Sequence, residues 1–126
     1  MRFTAVLCIL MVLAGCAATP VAHAPAATSG PVQPGRAAAL LRQAGAGEAP
    51  TPQDISRALG DADIVRQDGV GVAMTYRLQT CALLLLFAAD QRNAMRLREA
   101  HVSPRRVGEA TPSLDQCGAE ADARRS

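Results

Sequence analysis

Four cysteines and two histidines are the side chains that could do nucleophilic, redox or metal chemistry in this 126-residue chain. Cys8 sits inside an apolar run, Cys16 just after it, and Cys81 and Cys117 far downstream; His23 and His101 are remote from each other. This pattern does not reproduce the spacings that gather zinc ligands. A Gly-x-Ser-x-Gly elbow is absent, and Ser-x-x-Lys is impossible because all 13 basic residues are arginine. Gly69-Val70-Gly71 opens like a phosphate loop, but Met74 stands where the last glycine belongs. Asp61 and Asp63 open like a calcium loop, but Val65 and Arg66 follow where an acid and a glycine are needed. The expectation is a non-enzyme with no catalytic, cofactor or metal site.

Cys16 has a different context. Met1 to Thr4 carry one positive side chain, Ala5 to Leu13 are apolar, and Ala14-Gly15-Cys16 precede a polar, proline-rich stretch. That order describes a secretory signal, and the run is too short to span a bilayer. Leu13-Ala14-Gly15-Cys16 resembles a bacterial lipobox. The resemblance implies cleavage before Cys16, diacylglyceryl and acyl (palmitate-type) groups on Cys16, and a membrane anchor made of several chains. One chain alone binds only marginally, at about 0.8 kcal/mol per buried CH₂. Ala17, where an aspartate would favour the inner membrane, leans the expectation toward the outer membrane, facing the periplasm.

The expected organisation is a signal peptide over residues 1–15, a lipidated flexible tether over 16–35, a folded domain over 36–104 and a polar tail over 105–126. The tether, rich in Ala, Pro, Thr and Gly, would span about 25 Å on average. Net charge is +2, and Phe3, Tyr76 and Phe87 are the only aromatic residues, so no nucleic-acid partner is expected. In an exported chain the remaining pair, Cys81 and Cys117, predicts a disulfide. The alternative is a reactive Cys81 thiol paired with His101, but nothing near Cys81 in sequence supplies positive charge to lower its pKa. Arg105-Arg106 and Arg124-Arg125 could meet anionic head groups; solvated arginines are the simpler reading.

The domain's elements follow from period and punctuation. Arg36 to Gln43 holds helix formers and ends before Gly45 and Gly47. Thr51 can cap a second helix, with Pro52 at its first position, Asp54 in its first turn, Ile55, Ala58 and Leu59 on one face, and Gly60 as its stop. The period then becomes two. Asp63 to Gln67 is short and half polar, and Asp68-Gly69 is a tight-turn signal. Val70, Val72, Met74, Tyr76 and Leu78 share a face. Cys81 to Ala89 is apolar throughout and predicts a central strand buried on both faces. A turn at Asp90 to Asn93 leads into Ala94 to Val102, with Met95 and Leu97 inward, Arg96 and Arg98 outward, and Pro104 closing it. The predicted class is α+β: two N-terminal helices packed on a small three-stranded antiparallel β-meander, with room for a short leading strand. The tail's one predicted hold is Cys117.

Leu59-Gly60 after the capped helix, Ile64-Val65, Met74-Thr75-Tyr76-Arg77-Leu78, the apolar Cys81-to-Phe87 strand and the closing Arg-Leu strand carry a family likeness. Together with the lipobox, Thr51 to Val102 resembles the SmpA/OmlA family, the BamE-like outer-membrane lipoproteins. Ala62, Met74 and Gln91 depart from the family's usual proline, tryptophan and glycine. The resemblance implies two helices on a three-stranded sheet. It also implies a job as accessory or scaffold subunit in outer-membrane protein assembly or envelope integrity, with barrel-assembly subunits as partners. The alternative on the same architecture is a periplasmic inhibitor or ligand-binding module that inserts the Gln67-Asp68-Gly69-Val70 hairpin.

Overall fold

A computed structural model of the chain describes residues 35–126. The lipobox, Cys16, His23 and the tether expectations lie outside the described residues, Gly35 apart. Seven elements follow in order: α1 (Arg36–Leu41), α2 (Pro52–Leu59), β1 (Ile64–Asp68), β2 (Gly71–Arg77), β3 (Cys81–Ala89), β4 (Met95–Pro104) and α3 (Leu114–Arg125). The strands form one antiparallel sheet in the order β1-β2-β3-β4.

This overturns the predicted architecture of two N-terminal helices on three strands. Among the described residues there are four strands and three helices, and the longest of these helices lies at the C-terminal end. The fourth strand is β1, which pairs along its whole length with β2, from Ile64 opposite Thr75 to Asp68 opposite Gly71. Its half-polar sequence marked it as no more than a short leading strand, because an edge strand that the helices do not cover buries little: Val65 stays 61% exposed. The tail is not held by Cys117 alone. Ser113 accepts from the Gln116 N–H while Gln116 accepts from the Ser113 N–H, a reciprocal cap that starts α3.

The core lies between the helices and one face of the sheet. Met74, Tyr76, Leu83, Leu85, Phe87 and Leu97 from the strands pack with Leu41, Ile55 and Leu59 from the helices. β3 alternates accordingly, with Cys81, Leu83, Leu85 and Phe87 buried and Leu84 exposed. The expectation of a strand buried on both faces is therefore corrected: among the described residues, the helices cover one face and leave Leu84 exposed on the other.

A bulge in β4 keeps its apolar residues in register with that core. Leu86 pairs with Glu99 but Phe87 pairs with Leu97, so Arg98 is the extra residue. Without it, the face that takes Met95 and Leu97 would next take Glu99 and His101; with it, Ala100 and Val102 fall there instead. The outer edge of β4 is closed at Leu97. Its N–H donates to the Pro50 carbonyl at 2.9 Å and its carbonyl accepts from Gly45 N–H at 3.0 Å. Gly45 turns the chain there with φ +80°, a conformation that favours glycine.

α3 lies antiparallel against α1. Asp115 near its start pairs with Arg42 at 2.5 Å, and Asp122 near its end accepts from the Ala37 N–H at 3.1 Å. Gly35 has no side chain with which to cap α1, so the Asp122 carboxylate does it from the neighbouring helix. The two helices touch at Gly118, where an added Cβ would sit 2.7 Å from the Ala38 Cβ and 2.8 Å from its nitrogen. In an exposed helix, glycine to alanine gains about 1 kcal/mol. Here overpacking reverses the sign, and Gly118→Ala is expected to lower stability by about 1 kcal/mol net, read from urea unfolding under oxidising conditions.

Candidate functional site

Cys81 opens β3 and Cys117 lies in the first turns of α3, and the structure bonds their sulfurs, with the Cα atoms 6.1 Å apart. Both residues are fully buried. The alternative pairing of Cys81 with His101 is not formed. His101 points from β4 to the uncovered side of the sheet and meets Glu99 at 2.6 Å.

Beside the disulfide, Glu120 lies 3.9 Å from the Cys81 sulfur and accepts from the Thr80 N–H at 3.1 Å and from the Thr80 hydroxyl. Glu120, Arg77, Leu78, Gln79, Ala123 and Arg124 line a cavity of about 390 Å³. Burial pushes the Glu120 carboxyl up, but the Thr80 hydroxyl and the Thr80 and Gln79 N–H groups outweigh it and leave it below its ordinary value. Through these bonds Glu120 holds the β2–β3 turn onto α3.

The other displaced carboxylates have similar roles. Thr51, through its backbone N–H and then its hydroxyl, holds the Asp54 carboxyl down, and Asp54 closes the reciprocal cap of α2. Arg124 and then the Arg77 N–H hold Asp63 down, at 2.9 and 2.6 Å. Ala94 N–H lowers Asp90 against a burial penalty, with Arg92 N–H and Arg96 adding to it, so Asp90 organises the β3–β4 turn. Each accepts from backbone N–H groups, and none is raised toward the range of a general acid.

The remaining sequence candidates fall apart in space. Asp63 accepts from the Arg77 backbone N–H and pairs with the Arg124 guanidinium. Gly69 and Val70 form the β1–β2 turn, with Val70 84% exposed at its tip. Arg105 donates to the Leu78 carbonyl at 2.9 Å, and Arg106 meets Glu109 at 3.4 Å. Tyr76, fully buried, donates from its hydroxyl to the Gly60 carbonyl at 3.0 Å, which ties α2 to the sheet. Among the described residues no three metal-ligating side chains converge, and no helix is long and apolar enough to cross a membrane. Sequence reading missed the anchoring roles of Asp115, Glu120 and Asp122. Their one sequence signal was the Ser113-to-Gln116 capping pair, which marks a helix that must dock somewhere.

Two outcomes follow. Reducing the Cys81–Cys117 bond, which closes a separation of 36 residues, is expected to remove about 4 kcal/mol in the chain-entropy account, measured by denaturant unfolding with and without reductant. The lowered carboxylates bind protons more weakly folded than unfolded. Their stabilisation is complete above the unfolded pKa values and fades as pH falls through the folded ones. Stability is thus expected to hold from neutral pH down to about pH 5 and to fall below about pH 4, read by thermal unfolding across that range.

Comparison with protein-family models, with curated proteins and with solved structures finds no match to this chain.

Proposed function

We propose that this chain is a lipid-anchored, non-enzymatic envelope protein that works as an accessory or scaffold subunit, by binding another protein rather than by transforming a substrate. The observation that carries this reading is the use to which the acidic groups are put. Asp54, Asp63, Asp90 and Glu120 are each held as anions at a helix start or a turn. Side chains committed in this way position backbone and leave no free acid–base pair in the cavity beside Glu120. The anchor comes from the lipobox at Leu13 to Cys16, and the place of work, outer-membrane protein assembly or envelope integrity, comes from the SmpA/OmlA resemblance over Thr51 to Val102. The four-stranded sheet and α3 set this chain apart from that family's two-helix, three-strand plan.

The test is a cross-linked capture of the wild-type protein from gently solubilised envelopes, beside a Cys16→Ala variant. Wild type is expected in the membrane fraction with barrel-assembly subunits among the captured proteins, and Cys16→Ala in the soluble fraction. Equal partitioning of the two would refute the anchor. Capture of a periplasmic hydrolase in place of assembly subunits would select the inhibitor reading and end the scaffold one.

A further inference from the structure

All three helices sit on one side of the sheet, and strand register determines which side chains lie on the other. One row there runs Ile64, Thr75, Leu84, His101, and the next runs Arg66, Ala73, Leu86, Glu99. The inner positions are apolar or small: Leu84 is 39% exposed at the centre, and Thr75, Ala73 and Leu86 are half-buried. The outer positions carry charge, with Arg66 on β1 at one margin and Glu99 with His101 on β4 at the other. A contiguous apolar centre with a charged rim is the composition of an interface.

We propose that this face binds a second copy of the same chain, stacked about a two-fold axis that runs along the strands between β2 and β3. That axis lays β1 over the partner's β4 and β2 over the partner's β3, and it keeps each row over itself. Leu84 then meets the partner's Thr75, and Leu86 meets the partner's Ala73, so each large side chain faces a small one. Arg66 meets the partner's Glu99, and symmetry makes this ion pair twice. The face is thus complementary to itself in both size and charge. An axis across the strands does worse: it sets Leu84 on the partner's Leu86 and leaves Arg66 over the partner's Ile64. Aligned stacking of two sheets at about 30° is a standard way to bury such faces.

The size of the face bounds the strength. Four strands about 4.8 Å apart and about five paired residues long present roughly 330 Å² per copy, roughly 650 Å² in all, which places the contact among weak, transient interfaces. The dimer is therefore weak, with dissociation in the micromolar range. This inference goes beyond the envelope assignment and does not rest on it, since it uses only the sheet.

The experiment is sedimentation velocity of the chain from Ala17 to Ser126, which omits the expected signal and the lipid-site cysteine, from low to high micromolar concentration, with thermal unfolding of each variant to confirm folding. Wild type is expected to shift from monomer to dimer across that range. Leu84→Glu places two like charges close to the axis, and Arg66→Glu faces an acid with an acid; each is expected to weaken the dimer about tenfold or more. Combining Arg66→Glu with Glu99→Arg exchanges the two charges and is expected to return the dimer to within about threefold of wild type. A monomer at every concentration would overturn the proposal, including one in which Leu84→Cys is shielded from thiol labelling by some other occupant. So would a dimer indifferent to Leu84→Glu, or a charge exchange that fails to restore it.

Discussion

The bond between Cys81 and Cys117 ties the first residue of the most buried strand to the first turns of the last helix, and the helical layer is arranged around that joint. α3 brings little hydrophobic surface of its own, burying only Cys117, Gly118 and Ala121. Apolar burial at about 25 cal/mol per Å² cannot hold a helix with so small a footprint. Covalent closure and shape do it instead. Gly118 lets α3 approach Ala38 of α1, and once that contact exists Asp122 reaches the open N–H of Ala37 and Asp115 reaches Arg42. Packing places the polar contacts, and the polar contacts would not form without it.

The same economy governs the loops. Turns that would otherwise leave backbone N–H groups unpaired are each closed by one carboxylate: Asp90 at the β3–β4 turn, Glu120 at the β2–β3 turn, Asp54 at the start of α2. Hydrogen bonds to ionised acceptors are stronger than neutral ones, so a domain with few aromatic residues and a small core gains much of its loop definition from them.

The domain is also one-sided. The helices and the disulfide occupy one face of the sheet, the loop at Gly45 to Pro50 closes the β4 edge at Leu97, and the opposite face is left with Leu84 at its centre.

Much of this was legible in the residues. The Thr51-Pro52-Asp54 start of α2 and the alternation of β2 follow from local chemistry, and the pairing of Cys81 with Cys117 follows from the parity of cysteines left once Cys8 and Cys16 are set aside. Other features were not. β1 is polar because it is an uncovered edge, so burial left no pattern in it. The bulge at Arg98 shows only as two consecutive polar residues, Arg98 and Glu99, between Leu97 and Ala100, a signal that means nothing until β3 fixes the register. α3 looked like a tail because its docking depends on small residues and on charges whose partners, Arg42 and Ala37, are more than 70 positions away. The apolar run of β3 predicted burial on both faces, whereas Leu84 on one of them is exposed. Sequence determined the types of α1, α2 and the strands β2 to β4, through periods of two and 3.6 and through capping residues. Tertiary structure alone decided which face of the sheet the helices would cover, because that choice rests on contacts between residues distant in the chain.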